Sequence, residues 1–261
     1  MANFRKSIKF GNVLKTVVPA VAFSLATIGT HSISQAADNQ PIAVVEMFTS
    51  QGCSSCPPAD KVVSNYAKNN NVLALSMHVD YWNYLGWKDT FSKAEFTKRQ
   101  QKYAVSFARR GVYTPQAVVN GRNHVVGSYG NEITSLVKAY KESGRGLDVP
   151  INTTISSGTI NINTTADAGD ATLYIVYFDK ERKVKIKRGE NSGRTITYHN
   201  VVRDIAALGM MKGGKLDVSM PMSELKSFDA EACAIILQKT TKNGTPGAII
   251  GATVINDLKS S

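Results

Sequence analysis

The sequence has few cysteines, little acidic charge and no long hydrophobic run beyond its N-terminal region. Only three of the 261 residues are cysteine, which excludes a small fold held together by a disulfide framework. After residue 40 no apolar segment approaches the roughly 20 residues needed to span a bilayer. Asp and Glu number 20 against 31 Lys and Arg, so the net charge is +11. The remaining composition is typical of a globular protein with one large domain or two modest domains.

Residues 1–37 have the pattern of a secretory signal peptide. Four basic residues and no acidic residue precede an apolar run over residues 17–28, and the small residues before Asp38 provide a cleavage pattern after Ala36 or Ala37. A membrane anchor is the alternative, but the apolar run is shorter than a bilayer requires. We therefore expect an exported protein, periplasmic or secreted from a bacterium, whose net charge falls to +7 after cleavage.

Residues 40–146 have the pattern of an α/β domain. Apolar runs and helical spacing predict strands over residues 42–48 and 72–79, helices over residues 59–68, 92–107 and 131–143, and a tight hairpin at Asn120-Gly121. Ser92 and Glu95 form a capping box at the start of the second helix. Cys53 and Cys56 lie between the first strand and its helix, and this order of elements is the thioredoxin-like arrangement.

Residues 150–258 have the pattern of an all-β, sandwich-like domain that follows a linker over residues 144–150. Short alternating or β-branched runs are separated by Gly, Asn and Asp. The predicted strands cover residues 151–156, 159–163, 171–179, 182–187, 216–220, 233–240 and 248–254. Residues 201–208 fit either a strand or a short helix. The expected fold class is thus an α/β thioredoxin-like domain followed by an all-β sandwich-like domain.

Cys53 and Cys56 are the strongest chemical feature of the sequence. A thiolate is the nucleophile in disulfide exchange, and the free N–H groups and dipole at a helix N-terminus stabilise that anion. The first sulfur of such a motif is usually the more exposed one, so we expect Cys53 to attack a substrate disulfide. Cys56, about one helical turn away, would then resolve the mixed disulfide. The hydroxyls of Ser54 and Ser55 are placed to donate hydrogen bonds to the Cys53 sulfur.

Two other roles for this cysteine pair stay open. One is an inert structural disulfide, although so short a loop stabilises a fold little through loop entropy. The other is a metal site. A single CxxC supplies too few ligands for zinc, whereas copper(I) accepts two soft thiolates with Met47 or His78 as a companion.

Thr114 and Pro115 form the second predicted part of the site. Pro115 precedes the third strand, and in thioredoxin-like folds a cis-proline at this place packs opposite the CxxC. It leaves the backbone of the preceding residue available to a substrate strand. We expect a cis bond here, with an ordinary trans-proline as the alternative.

A polar, aromatic loop follows the second strand and contains both tryptophans of the chain, Trp82 and Trp87. Loops at the carboxyl ends of parallel strands lie where ligands bind. We therefore expect these tryptophans, with His78 and Asp80, to contact substrate, and Asp80 to be a candidate proton acceptor for Cys56. A loop folded onto the core between the domains is the alternative.

Three further features have simpler explanations. Cys233 lies in an apolar run and fits a buried small hydrophobe. Basic residues cluster over residues 180–188, a pattern that attracts nucleic acid or anionic lipid, but a solvated strand with alternating lysines also explains it. Residues 188–200 are rich in polar residues and glycine, and they fit a surface hairpin or a loop that touches the first domain or a partner.

The segment VEMFTSQGCSSCPPAD, residues 45–60, closely resembles the signature of a bacterial family of secreted thioredoxin-like proteins of unknown function. Residues 78–89 and 188–203 resemble the same family, so the similarity covers nearly the whole mature chain. The resemblance implies export, a thioredoxin-like domain and an appended β-rich domain, and it implies no proven activity. Thioredoxin itself has Gly-Pro where this chain has Ser54-Ser55, so its redox properties do not carry over.

These features predict an exported thiol–disulfide oxidoreductase that acts through Cys53, Cys56 and Pro115 on protein substrates. The alternative function is a non-catalytic binding module that carries Cu(I) or a client peptide. We expect no cofactor, no resident metal and no nucleic-acid partner. The expected partners are thiol- or disulfide-bearing proteins and a membrane redox partner. Oxidants, reductants and isomerases use the same residues and differ in reduction potential, so the direction of transfer stays open.

Overall fold

The computed structural model describes residues 34–35, 40–69, 71–164 and 169–258. The predicted signal peptide lies outside the described residues except for Ser34–Gln35, which form strand β1. Export and the signal peptide therefore stay predictions. Among the described helices, none combines the length and the apolar character that crossing a membrane requires.

The first half of the chain alternates strands and helices as its apolar pattern predicts. Its elements are β2 (Ala43–Thr49), α1 (Pro57–Asn69), β3 (Val72–His78), a short 3-10 helix (Asn83–Leu85), α2 (Ala94–Ser106), β4 (Gln116–Val119), β5 (Asn123–Val126) and α3 (Gly130–Glu142). The predicted hairpin is confirmed. Asn120 and Gly121 have φ of 48° and 61°, and the Arg122 N–H donates to the Val119 carbonyl at 2.9 Å. Positive φ at both central residues is the geometry that an Asn-Gly turn favours.

The predicted capping box at the start of α2 is wrong. The helix begins at Ala94, and Lys93 in the cap position makes no side-chain hydrogen bond to it. The Ser92 hydroxyl instead donates to the carbonyl of Asp89 at 3.0 Å and accepts from the Asn83 amide at 3.1 Å. Ser92 therefore stabilises the loop before the helix.

The second half is β-rich as predicted, but two of its strands are longer than the sequence pattern indicated. Its elements are β6 (Ile151–Ser156), β7 (Thr159–Thr164), β8 (Asp170–Lys185), β9 (Thr195–Lys212), β10 (Asp217–Pro221), α4 (Met222–Lys226), β11 (Ala232–Thr240) and β12 (Pro246–Ile255). The two runs predicted within residues 171–187 are one strand, because Glu181 between them continues to pair with His199 of β9. The ambiguous residues 201–208 are strand.

An eight-stranded mixed sheet runs through both halves of the chain, in the order β12-β11-β8-β9-β3-β2-β4-β5. β3 is parallel to β2 on one side and to β9 on the other, where Ser76 lies opposite Val201. A second sheet has the order β1-β6-β7-β10. The chain is therefore β-rich with few helices, and the expected fold class is confirmed only at that level. Four strands of the predicted sandwich instead extend the sheet of the first half, and the domain division at residues 146–150 stays a prediction.

Both faces of the eight-stranded sheet are covered. α2 packs on one face, where Tyr103 contacts residues from both halves of the chain. On the opposite face, α1 and α3 cover β2, β3 and β4 through residues such as Val63 and Ile133. The four-stranded sheet covers β8, β11 and β12 through residues such as Ile160. The loops at the carboxyl ends of β2 and β3 stay free of these layers and form the site described below.

A buried polar network fastens α2 to strands of both halves. The Arg99 guanidinium donates to the Glu46 carboxylate at 2.6 Å and to the Gln238 amide oxygen at 2.8 Å. Tyr103 donates to the other Glu46 oxygen, and Gln238 donates to Tyr103 at 2.7 Å. Glu46 lies on β2 and Gln238 on β11, so one network joins the first half of the sheet to the second.

Candidate functional site

A disulfide joins Cys53 and Cys56 where β2 passes into α1. Pro57 and Pro58 occupy the first turn of α1, where the absence of a proline N–H costs no helical hydrogen bond. The Asp60 N–H donates to the Cys56 carbonyl at 3.1 Å, which continues the helix from the second cysteine. The predicted junction of strand, CxxC and helix is confirmed.

Both cysteines are buried, which corrects the expectation that Cys53 is the exposed one. Cys53 is 1% exposed and Cys56 is 0% exposed. Part of the cover comes from residues 180–200, here called the arm, where β8 and β9 continue beyond the rest of the sheet. At the tip of the arm the buried Asn191 amide donates to the Gln51 carbonyl at 3.0 Å and to the Cys53 carbonyl at 2.8 Å. Of the two interpretations of residues 188–200, the loop that touches the first half of the chain is therefore supported, and Asn191 at its tip is part of the site.

The two serines between the cysteines have different partners. The Ser55 hydroxyl lies 3.4 Å from the Cys53 sulfur, as predicted for a serine–sulfur hydrogen bond. Ser54 is instead fixed through its main-chain N–H, which donates to the Glu190 carboxylate at 3.1 Å. The arm thus holds the CxxC loop through two consecutive residues, Glu190 and Asn191.

Both predicted tryptophans form hydrogen bonds beside the disulfide. The Trp82 indole N–H donates to the Thr114 hydroxyl at 2.8 Å, and the Trp87 indole N–H donates to the Gln51 side-chain oxygen at 2.9 Å. Gly52 leaves room for this arrangement, since a Cβ there would lie 3.1 Å from the Trp82 Cβ. The structure brings Trp82, Trp87 and Thr114 together around the CxxC loop, and their contact with substrate stays a prediction.

The Thr114–Pro115 peptide bond is cis, as the sequence predicted. Pro115 immediately precedes β4, which pairs with β2 so that Gln116 lies opposite Phe48. Pro115 therefore lies level with the end of β2, next to the CxxC loop. Its carbonyl accepts from Gly127 at 2.9 Å, whereas within the described part of the chain the main-chain N–H and C=O of Thr114 have no hydrogen-bond partner.

A cluster of buried polar side chains lies between β3 and α1, next to the CxxC loop. His78 Nδ1 and Asp89 Oδ2 are 2.7 Å apart, and both side chains are wholly buried. Asp60 Oδ1 accepts from the Thr49 hydroxyl at 2.8 Å. Tyr198 of the arm packs edge-on against His78, with ring centroids 4.8 Å apart. His78, expected to contact substrate, is therefore covered on all sides in this conformation.

Burial and mutual charge shift the pKa values in this cluster. Desolvation raises the pKa of Asp60 to about 7, against the opposing effects of the His78 charge and the Thr49 hydrogen bond. Burial alone would lower the pKa of His78, but the charge and hydrogen bond of Asp89 raise it above its usual value. Burial would likewise raise the pKa of Asp89, yet His78 holds it below its usual value. A charged pair thus lies beside a carboxyl that can exchange a proton near neutral pH.

The proton-acceptor role that the sequence suggested for Asp80 fits Asp60 better. The Asp80 carboxylate accepts from the Thr97 hydroxyl at 2.5 Å, which ties it to α2, on the face of the sheet opposite α1. Asp60 lies on α1 one turn after Cys56, and its Oδ2 is buried with no hydrogen-bond partner among the described residues. The carboxyl that accompanies Cys56 is therefore Asp60.

The two residues suggested as companions of the cysteines in a Cu(I) site have other contacts, and His78 is paired with Asp89. Met47, a suggested companion for Cu(I), is wholly buried in the core, and its sulfur fills the space where Gly127 lacks a side chain. The described ranges contain no group of three or more His, Cys, Asp or Glu side chains that could hold a metal ion.

Cys233 is wholly buried as predicted, and desolvation raises the pKa of its thiol to about 12.

Sequence reasoning missed four residues of the site: Asp60, Asp89, Glu190 and Asn191. The local sequence pattern pointed to these residues only in part. Asp60 closes the segment that resembles the family signature, and residues 188–200 were recognised as unusually polar and as similar to the family. No local pattern, however, shows that residues near position 190 meet residues near position 53.

The fold and the site define a β-rich protein with a CxxC disulfide at a strand–helix junction and a cis-proline beside it. Residues 44–238 match the family described as "Protein of unknown function (DUF1223)", and the chain belongs to that family. A protein from Archaeoglobus fulgidus named Probable Thioredoxin is 33% identical over 86 residues, which cover 33% of this chain and 75% of that protein. The similarity to that protein is thus confined to one third of the chain.

Two solved structures resemble most of this chain. A crystal structure of an Agrobacterium tumefaciens protein, a structural-genomics target, has a TM-score of 0.75 and 38% identity, covering 85% of this chain and 96% of that one. HBP35 of Porphyromonas gingivalis has a TM-score of 0.58 and 15% identity, covering 85% of this chain and 77% of that one. The second likeness, at such low identity, concerns the fold alone.

Proposed function

We propose that this protein is an exported thiol–disulfide oxidoreductase whose Cys53–Cys56 pair exchanges with cysteines of protein substrates. The observation that carries the proposal is the disulfide at the N-terminus of α1 beside the cis Thr114–Pro115 bond. The partial similarity to a Probable Thioredoxin supports the same chemistry. In this proposal residues 40–146 are the thioredoxin-like unit, and residues 150–258 are an appended sandwich-like unit that supplies part of the site.

The exchange takes place in two steps. In the reducing direction the Cys53 thiolate attacks one sulfur of a substrate disulfide, whose S–S bond breaks as the mixed disulfide forms, and the departing sulfur takes up a proton. Cys56 then loses its proton and attacks the Cys53 sulfur, which restores the Cys53–Cys56 bond and releases the second substrate thiol. Two electrons pass from the protein to the substrate, and the oxidising direction is the reverse.

Asp60 is the group that we assign to the Cys56 proton. It follows Cys56 by one helical turn, and its Oδ2 is unpartnered among the described residues. A general acid or base works best when its pKa is close to the ambient pH, and burial raises the pKa of Asp60 to about 7. Within the same buried cluster the His78 charge opposes the effect of burial on this pKa without overcoming it.

Thr114 is the docking point for the substrate chain. Its main-chain N–H and C=O have no hydrogen-bond partner among the described residues, and the Trp82 indole fixes its side chain. An extended substrate segment can therefore add two main-chain hydrogen bonds here, next to the cysteines. Since Cys53 is only 1% exposed, the substrate sulfur reaches it after the arm tip or Trp82 shifts.

Cysteine variants test the proposal. The full mature protein is reduced, freed of reductant and incubated with oxidised insulin, and in parallel the oxidised protein is incubated with a reduced, unfolded disulfide protein. We expect activity in at least one direction for the wild type and for Cys233→Ala, the buried-cysteine control. Cys53→Ser should be inactive, and Cys56→Ser should accumulate a mixed disulfide visible as a mass increase. Activity of Cys53→Ser equal to the wild type, or no activity in either direction, would overturn the proposal.

The reduction potential of the pair separates a working dithiol from a permanent bridge. A potential below about −300 mV fits a structural disulfide, and a more oxidising value fits a pair that cycles. Equilibration of the protein with glutathione buffers, followed by quantification of the free thiols, gives this value and with it the direction of transfer.

A further inference from the structure

The arm carries positive charge that the proposed reaction does not use. Residues 180–200 include seven Lys and Arg and only two Glu. Lys180 pairs with Asp257, and Arg182 pairs with Asp179 and Glu231. The other five basic side chains are exposed and have no acidic partner within 4.0 Å among the described residues: Lys183, Lys185, Lys187, Arg188 and Arg194.

The two acidic residues of the arm are already engaged. Glu181 lies 3.3 Å from His199 Nε2, and Glu190 accepts from the Ser54 N–H. The five basic side chains therefore present unneutralised charge along the arm. The arm itself reaches the wall of the site at Gly189, where an added Cβ would lie 3.3 Å from the Trp87 Cβ.

We infer that the arm recognises polypeptide substrates with acidic residues beside the reacting cysteine, an inference that rests on the proposed function. The tip of the arm holds Gln51, Cys53 and Ser54, so a chain bound along the basic side chains lies next to the Cys53 sulfur. Charge of one sign at a cleft raises the rate of encounter with ligands of opposite charge by about 10-fold or more. Nucleic acid or anionic lipid would satisfy the charge but would bring no sulfur to the disulfide.

Glu190 itself shows how an acidic side chain fits this place. Its carboxylate receives a main-chain N–H just before the start of α1, where a negative charge is favourable. An acidic residue of the substrate can take over this N–H when the arm tip shifts. The same displacement would uncover Cys53, so binding of an acidic substrate residue and access to the Cys53 sulfur are coupled.

The test compares three disulfide probes on the reduced full-length protein. Two are peptides of equal length around one disulfide, flanked by Asp residues in one and by Asn residues in the other, and the third is bis(2-hydroxyethyl) disulfide, which is small and uncharged. We expect the acidic peptide to react about 10-fold faster than the neutral peptide at low salt, and this ratio to shrink as salt screens the charges. Lys185→Glu/Lys187→Glu should abolish the preference without changing the rate with the small probe.

Charge reversal at the far end of β9 provides the matched control. Lys212→Glu/Lys215→Glu changes the net charge equally at two exposed positions and should keep the preference. The inference would be overturned if the wild-type protein reacted with both peptides at equal rates, or if the control variant lost the preference to the same extent. A normal rate with the small probe would still leave the proposed function intact. If none of the three probes reacts, both the inference and the proposed function are wrong. Loss of binding to phosphatidylglycerol vesicles in the arm variant, with the peptide preference unchanged, would assign the charge to a membrane surface instead.

Discussion

The side-chain amide of Asn191 donates to the carbonyl of Cys53 at 2.8 Å, although the two residues are 138 positions apart in the sequence. The same amide donates to the carbonyl of Gln51 at 3.0 Å. One buried side chain from the second half of the protein therefore fixes the backbone on both sides of Gly52, at the start of the CxxC loop.

Asn191→Ala should loosen the CxxC loop. It leaves the Gln51 carbonyl without a donor and the Cys53 carbonyl with the Cys56 N–H alone. A buried polar group that loses its partner costs about 1–3 kcal/mol. We expect a lower free energy of unfolding in urea and faster reduction of the native disulfide by dithiothreitol, because the cover over Cys53 is weakened. Asn152→Ala, at an exposed position of β6, is the matched control and should change neither. Unchanged reduction kinetics in Asn191→Ala would show that the arm does not limit access to the sulfur.

Asp60→Asn should change how stability depends on pH. The pKa of Asp60 is about 7 in the folded protein against 3.8 as its ordinary value. The folded state therefore binds this proton more tightly than the unfolded state, and the resulting stabilisation is complete below pH 4 and lost as the pH rises through 7. The variant, which carries no such group, should match the wild type at pH 4 and exceed its stability by a few kcal/mol at pH 8.

Urea unfolding at intervals of one pH unit measures this difference. The groups that face Asp60 are His78, Asp89, Thr49 and Tyr198, and all four are retained in the variant. Asp217→Asn removes an exposed carboxylate from β10 and serves as the control. A constant difference between Asp60→Asn and the wild type across this range would contradict the raised pKa.

Arg99→Met should strongly destabilise the fold. It leaves the wholly buried Glu46 carboxylate without its guanidinium, and breaking a buried pair from one side costs about 3–5 kcal/mol. Adding Glu46→Gln removes the stranded charge, so the double variant should recover part of the loss in a urea titration. Lys138→Met breaks an exposed pair with Glu142 and should have little effect. A double variant as unstable as Arg99→Met would mean that packing, rather than charge, dominates the network.

Trp82→Phe separates docking from sulfur chemistry. The variant keeps an aromatic ring but loses the N–H that donates to Thr114, a hydrogen bond worth about 0.5–1.5 kcal/mol net. We expect kcat/KM with a protein disulfide to fall by about 2- to 10-fold and the rate with a small uncharged disulfide to stay the same. Equal losses with both substrates would place the effect of Trp82 on the cysteine pair itself.

Local features of the fold and the site could be predicted from the sequence. The strands β2 and β3, the helix after Cys56 and the turn at Asn120 each follow from residue types within a few positions, whereas the cis bond at Pro115 was expected from its place in the thioredoxin-like order of elements. Such features depend on backbone preferences and on the side-chain periodicity of one segment. The cysteine pair was found for the same reason, since its chemistry is contained in four residues.

Features that depend on distant segments could not be predicted. The alternation of residues in β9 indicates a strand but does not indicate that its neighbour is β3, because the period of side chains is the same for any partner. From the sequence alone Asn191 and Glu190 look like ordinary turn residues, because their contacts with the CxxC loop exist only in the folded protein. The sequence points to Asp80 and overlooks Asp60 because the position of each carboxyl relative to Cys56 depends on which face of the sheet each helix covers.

The strand β9 forms part of the arm at its start and pairs with β3 at Val201, so the cover over the cysteine pair belongs to the same sheet as the strands that position the pair. The hydrogen bonds from Ser76 to His199 and from Asn191 to Cys53 each join the two halves of the chain. Replacing one half with the corresponding half of a distant relative would break both. We therefore expect chimaeras joined at residues 146–150 to fail as a whole, and variation in this protein's lineage to enter by substitution within both halves rather than by domain shuffling.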